Sequence, residues 1–172
     1  MTESFQAIVC HSEHLNENES REIEEVSHLA FTGTEDEIDW SPPEWYVLGK
    51  MKGQVVSFVG ILKRRIRVGE ISLDVGGIGG VATHPDHQRQ GFGSALLQSA
   101  AEFIHQDLHI DFGLLLCAQE TVTFYSKLGW KIAEEEMIFE CQEPGFDGIT
   151  MVLPLGGRPW PKGTIDLCGP PW

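Results

Sequence analysis

A chain of 172 residues, 41% hydrophobic and 22% charged, can bury a sizeable core and is too apolar to be a disordered chain. Its formal charge of −14 disfavours nucleic acid as a partner and favours small cations. No run of about 18 apolar residues occurs, so no membrane span is expected, and four scattered cysteines without a Cys-x-x-Cys pair predict neither a metal site nor a disulfide framework.

The polar start, residues 1–6, lacks the basic and apolar stretches of a secretory signal, and a cytoplasmic location is expected. Residues 5–10 read as an opening strand. Residues 16–31 read as a helix, with Ile23, Val26 and Ala30 on one face and Gly33 as its stop. Residues 34–43 form an acidic loop. Three strands of an antiparallel meander are predicted over 45–48, 54–62 and 67–74, with turns at 50–53 and at the basic stretch 63–65. That basic run reads as a solvated hairpin edge.

Residues 75–83 are a strand carrying Gly76, Gly77, Gly79 and Gly80, a pattern that predicts a bulge or a close backbone approach. Residues 91–105 are an amphipathic helix with Phe92, Ala95, Leu96, Ser99, Ala100, Phe103 and Ile104 on one stripe. A short strand over 112–117 should run parallel to the glycine strand, because a helix joins them. A second short helix spans 120–128 and closes at Gly129. Strands over 130–139 and 149–153, joined by a turn at 143–148, complete the sheet. Residues 155–172 are an ordered tail anchored by Trp160, Leu167 and Trp172. The economical account is one domain, 1–172, of mixed α/β (α+β) type.

Between the glycine strand and the long helix lies Val81-Ala82-Thr83-His84-Pro85-Asp86-His87-Gln88-Arg89-Gln90-Gly91-Phe92-Gly93-Ser94. A glycine turn opening a helix leaves backbone N–H groups pointing one way, with the helix dipole behind them. That is an anion site suited to a pyrophosphate. A P-loop is excluded, because no Gly-Lys-Ser/Thr follows. A dinucleotide fingerprint is excluded too, because its third glycine falls on Leu96 and a polar stretch separates strand from glycines. His84 and His87 lack a third ligand, so no metal is expected.

The stretch Gln88-Arg89-Gln90-Gly91-Phe92-Gly93 resembles the Gln/Arg-x-x-Gly-x-Gly/Ala signature of the GCN5-related N-acetyltransferase (GNAT) superfamily. The segment Phe124-Tyr125-Ser126-Lys127-Leu128-Gly129-Trp130 is similar to its downstream aromatic–Tyr–x–x–x–Gly–aromatic segment. The resemblance implies a largely antiparallel mixed sheet with a central splayed parallel strand pair and flanking helices. It implies acetyl-coenzyme A as cosubstrate, with no metal. Main-chain groups of Val81, Ala82 and Thr83 would pair with the pantetheine arm. Gln88, Arg89, Gln90, Gly91, Phe92, Gly93 and Ser94 would hold the pyrophosphate.

Within the superfamily, several segments resemble the aminoglycoside 2'-N-acetyltransferases: Asp39-Trp40, Arg64-Arg65, Asp147-Gly148-Ile149 and a tail finishing on Trp172. By that match Asp39, Trp40 and Asp147 line the substrate cleft and the carboxylate of Trp172 points into it. The chain departs from the pattern where the family's strand glutamate falls on Gly79, a tail aspartate on Pro170, and serines after the parallel strand near Leu116 and Cys117.

Acetyl transfer needs a neutral amine, a polarised thioester carbonyl and a proton for the departing thiolate. The bulged strand offers an N–H near Val81 for the carbonyl. Tyr125 is the expected general acid. The base falls among Asp39, Asp147 and the carboxylate of Trp172. The expected activity is N-acetylation of a small cationic amine, an aminoglycoside among the candidates. Alternatives are a non-catalytic acetyl-coenzyme A-binding module and an acetyltransferase acting on a protein. A homodimer is compatible with the sequence.

Overall fold

The computed structural model describes residues 4–32, 38–142 and 146–172. The expected helix stop at Gly33, the acidic residues 35–37 and part of the expected 143–148 turn lie outside them.

The strands are β1 (Gln6–His11), β2 (Trp45–Met51), β3 (Gln54–Val68), β4 (Ile71–Thr83), β5 (Phe112–Cys117), β6 (Lys131–Ile132), β7 (Met137–Ile138), β8 (Ile149–Pro154) and β9 (Ile165–Asp166). The helices are α1 (Glu17–Ala30), α2 (Phe92–Gln106) and α3 (Val122–Lys127). Sheet order is β1-β2-β3-β4-β5-β8-β6, with β9 bridging β3 and β7. All pairs along that order are antiparallel except β4–β5, which is parallel over Gly76↔Gly113, Gly77↔Leu114 and Ile78↔Leu115. This is the mixed, mostly antiparallel sheet with one parallel pair that the resemblance implies.

Local chemistry sets the elements. Asn16 and Glu19 form a reciprocal capping box that starts α1. Lys52 and Gly53 both have positive φ (55° and 79°), so the β2–β3 hairpin closes with two residues. The next hairpin is a correction. The basic stretch 63–65 is not a turn: β3 runs through it to Val68, and the chain reverses at Gly69 (φ 58°). The expected strands over 67–74 and 75–83 are accordingly the end of β3, a turn at 69–70, and one continuous β4. Lys63, Arg65 and Arg67 face solvent, whereas Leu62, Ile66 and Val68 are buried. That alternation keeps the basic segment in a strand. Nor is it an open edge, since Arg67 pairs with Asp166 of β9 at 2.7 Å.

A second correction concerns the expected strand over 130–139. It is two short strands, β6 on β8 and β7 on β9. The tail thereby enters the sheet through β9.

Alternate strand residues feed two faces. On one, Val47, Val59, Ile61, Ile78, Leu115 and Met151 pack with Leu96, Leu97, Ala100 and Ile104 of α2. Leu97 is thus a buried stripe member, and Ala95, assigned to the stripe, is exposed. On the other face, α1 covers Leu48, Val55, Phe58 and Ala82, and the tail covers Leu62, Ile66, Val75, Leu114 and Val152 with Leu167 and Trp172. The β4 glycines let both layers approach. A Cβ on Gly76 would lie 2.6 Å from Ile104, and one on Gly77 would lie 2.3 Å from the Trp172 indole. Gly76→Ala should therefore destabilise by about 1–3 kcal/mol through overpacking. The readout is a lower denaturant midpoint at unchanged m-value.

Candidate active site

The β4–β5 pairing stops at Ile78↔Leu115, although β4 continues to Thr83 and β5 to Cys117. Beyond that point the strands no longer share hydrogen bonds and a gap opens in the sheet. The same stretch of β4 is bulged: Phe58 pairs with Ala82 and Gly60 with Gly79, so Gly80 and Val81 together oppose Val59. Gly80 has φ 61°, which a glycine adopts without Cβ strain. His84 N–H donates to Val56 O across to β3. By alternation, the main-chain groups of Thr83 and Val81 turn away from β3, toward the gap. Ala82, the intervening residue, faces β3 and accepts the Ser57 hydroxyl at 2.9 Å. That hydroxyl also meets Thr83 Oγ1 at 2.7 Å, a pair the sequence did not reveal, because only the β3–β4 register brings Ser57 there.

At the end of β4, a 3-10 turn (Pro85–His87) leads to Gly91, the α2 N-cap, at φ 81°. Arg89 also has positive φ, 61°. Gly91 makes no side-chain cap, and among the described residues no backbone amide from Arg89 to Ser94 donates a hydrogen bond. Those N–H groups converge at a helix terminus, which favours an anion. Nothing lies within 4 Å of a Cβ at Gly91, so the cradle is open. Arg89 and Gln90 are exposed. The Gln88 side-chain amide donates to Thr83 O at 3.2 Å, tying the loop to the rim of the gap. Phe92 stacks on Phe5 with ring centroids 4.1 Å apart and fixes the first turn of α2. His84 Nδ1 accepts from Asp86 N–H at 3.2 Å, so it serves as a local cap.

Tyr125 stands on α3 beside the end of β5. It is 8% exposed and packs edge-on to Phe124 and Trp130. Its hydroxyl makes no hydrogen bond among the described residues. Trp160 Nε1 is the buried side-chain polar atom without a partner among them, so the Tyr125 hydroxyl still touches solvent. Burial, with a smaller contribution from the Cys117 thiol, pushes its pKa up to about 12. Burial likewise raises the Cys117 thiol, opposed by a hydrogen bond with Thr121. The folded phenol thus holds its proton more tightly than an unfolded one. The phenol therefore leaves stability unaffected below pH ~10, and its ionisation removes about 2–3 kcal/mol as pH rises from ~10 through ~12. Alkaline unfolding of Tyr125→Phe should lack that component.

Trp172 lies on the sheet face opposite α2. Its indole Nε1 donates to Leu114 O at 3.3 Å, its ring covers Gly77, and its main-chain carbonyl carbon is 2.9 Å from where a Cβ on Gly79 would be. Tyr125 belongs to the α2-side cluster and Trp172 to the opposite one, so they stand on opposite faces of the sheet. Asp39, Trp40 and Asp147 are all exposed. Asp39 is two residues before Ser41, whose N–H donates to Pro171 O at 2.7 Å. Asp147 is two residues before Ile149, which pairs with Cys117 at the open end of β5. Neither carboxylate makes a hydrogen bond to a described residue. No group of three or more metal-ligating side chains occurs among the described residues, and no described helix is long and apolar enough to cross a membrane.

Known proteins show the same architecture. The GNAT family N-acetyltransferase YhbS from Escherichia coli, solved in complex with CoA, superposes with TM-score 0.67 at 15% identity, covering 96% of this chain and 91% of that one. A GNAT family acetyltransferase from Brucella melitensis, solved with acetyl-CoA, gives TM-score 0.63 at 16% identity over 93% and 94%. Eis1 from Mycobacterium abscessus gives TM-score 0.59 at 15% identity; 74% of this chain is covered, and the chain spans 31% of that protein. No curated protein matches the sequence. The model of the acetyltransferase (GNAT) domain matches residues 11–133, a span that holds the splayed strands, the amide loop and Tyr125, and the chain belongs to that family.

Proposed function

We propose that the protein is an acetyl-CoA-dependent N-acetyltransferase in which residues 1–172 act as one catalytic unit. The observation that supports this best is the combination of three features: unpaired amides at 89–94, main-chain groups of Val81 and Thr83 facing the gap, and a Tyr125 phenol close to Cys117 at the end of β5. The amides of Arg89, Gln90, Gly91, Phe92, Gly93 and Ser94 suit a diphosphate, with Gln88 holding the loop. A pantetheine arm would fill the gap as an added strand, bonded to Val81 and Thr83.

In the reaction the amine nitrogen attacks the thioester carbonyl and the carbon–sulfur bond breaks. The amine's proton goes to a base, and the thiolate takes the Tyr125 proton. The Val81 N–H, freed by the bulge, stabilises the carbonyl oxygen. Gly79 supplies no carboxylate. The candidates for base, through water, are Asp39 and Asp147.

The acceptor is a small cationic amine, drawn by the acidic surface. The partial match around Asp39-Trp40, Asp147 and Trp172 makes the 2'-amine of an aminoglycoside the candidate to assay first. The Gly79 position also supports a second reading, a non-catalytic module that binds acetyl-CoA in the cytoplasm. Thiol release over a panel of amines, including aminoglycosides with and without a free 2'-amine, separates the two. Turnover that needs the 2'-amine supports the finer assignment. Calorimetric binding of acetyl-CoA with no turnover on any amine leaves the binding module.

A further inference from the structure

Arg64 is a cation placed where the strand pattern calls for an apolar residue. It shares the inward face of β3 with Leu62, Ile66 and Val68, all buried. Its guanidinium donates through Nη1 to Pro170 O and through Nη2 to Ser41 Oγ at 2.7 Å. Its Cζ lies 5.2 Å from the Trp172 ring centroid, within cation–π range. Ser41 completes the junction: its hydroxyl reaches Pro170 O at 3.3 Å, and its N–H donates to Pro171 O. A Cβ on Gly169 would sit 3.0 Å from Arg64 Nη1, so the tail is shaped to the guanidinium.

Two chain segments far apart in sequence, 38–44 and 167–172, thus meet on one side chain. Both lie on the face opposite α2. There Trp172 covers Gly77 and reaches Gly79, where the sheet begins to splay. Neither segment has a regular hydrogen-bonded element to hold Asp39, Trp40 or Trp172 in place. A planar fork with two acceptors and a stacked ring does that work, and a lysine cannot reproduce its geometry.

We infer that Arg64 is a positioning residue that fastens the 38–44 segment and the Trp172 tail into one acceptor-side wall, and so governs capture of the amine while leaving acetyl-CoA binding alone. The inference rests on the transfer reading above for its kinetic half. Its structural half stands without it.

The test uses the full chain with Arg64→Met, Arg64→Lys and Ser41→Ala. The Trp172 indole N–H resonance, assigned by its loss in Trp172→Phe, reports docking against Leu114 O. In Arg64→Met it should move to the position of a solvent-exposed indole. KM for the amine should rise at least tenfold, while kcat and the acetyl-CoA Kd stay within about twofold. Arg64→Lys should recover part of both effects. Ser41→Ala, which removes one acceptor and no charge, should shift both in the same direction by less.

An unmoved indole signal in both Arg64→Met and Ser41→Ala overturns the docking. A moved signal with unchanged amine KM, or an acetyl-CoA Kd that rises in step with it, overturns the acceptor role. Should the unmodified chain acetylate no amine, the transfer reading and the kinetic half fall together, and the indole signal still decides the docking.

Discussion

Tyr125→Phe should lower kcat for acetyl transfer by about tenfold or more, with acetyl-CoA affinity unchanged and thermal stability at neutral pH unchanged or slightly raised. The three outcomes have one origin. The hydroxyl has no hydrogen-bond partner among the described residues, so its removal leaves no buried donor or acceptor unpaired. The ring keeps its packing against Phe124 and Trp130. What disappears is the proton. A phenol pushed up to about 12 stays protonated through the working pH range and can meet a departing thiolate as an acid. It follows that any alkaline limb of the kcat profile below pH ~10 belongs to another group and survives in Tyr125→Phe. Equal turnover by the two proteins would remove Tyr125 from the acid role. A large fall in stability would recast it as a core residue.

The amide loop at the start of α2 was legible because its signal is local. Gly91 and Gly93 after a polar turn, with an amphipathic helix following, define a helix terminus with bare amides whatever the rest of the chain does. The parallel strand pair followed from a helix joining two strands. The β3–β4 hairpin misled because a run of Lys63, Arg64, Arg65 and Arg67 suggests a turn by composition. Period-two burial of Leu62, Ile66 and Val68 carries the strand through it instead.

The same alternation held an unread signal. Arg64, in phase with those three, had to face inward, and an inward cation needs acceptors. Which acceptors could not be read, because Ser41 and Pro170 are brought to it by the loop after α1 and by β9, contacts that no spacing encodes. The split of the expected strand over 130–139 has a similar cause: β7 is held by β9, a two-residue strand inside a Gly- and Pro-rich tail. Trp172 is costly to expose, but its seat on Gly77 depends on the fold. Four glycines on β4 predicted a close approach, and two different layers make it, α2 at Gly76 and the tail at Gly77 and Gly79.

Gly93→Asp should separate the amide loop's structural and binding roles by moving them in opposite directions. Gly93 is the second residue of α2 and does not have positive φ. A Cβ there would lie 3.7 Å from Phe124 Cζ and 3.9 Å from Thr83 Oγ1, ordinary contact distances. The side chain therefore fits, and a carboxylate in the first turn favours the helix by about 0.3–1 kcal/mol through its dipole. Stability should hold or rise. A diphosphate held by the neighbouring amides would meet that carboxylate at close range. Like charges about 4 Å apart cost on the order of 1–4 kcal/mol, depending on how wet the site is. Calorimetry should show acetyl-CoA binding weakened at least about tenfold, with the loss shrinking as salt screens the repulsion. Gly93→Ala, which adds the Cβ without the charge, should bind nearly as the unmodified chain does. If Gly93→Asp binds acetyl-CoA as tightly as Gly93→Ala, the diphosphate does not sit on these amides, and the assignment of the gap between β4 and β5 as the pantetheine channel loses its anchor.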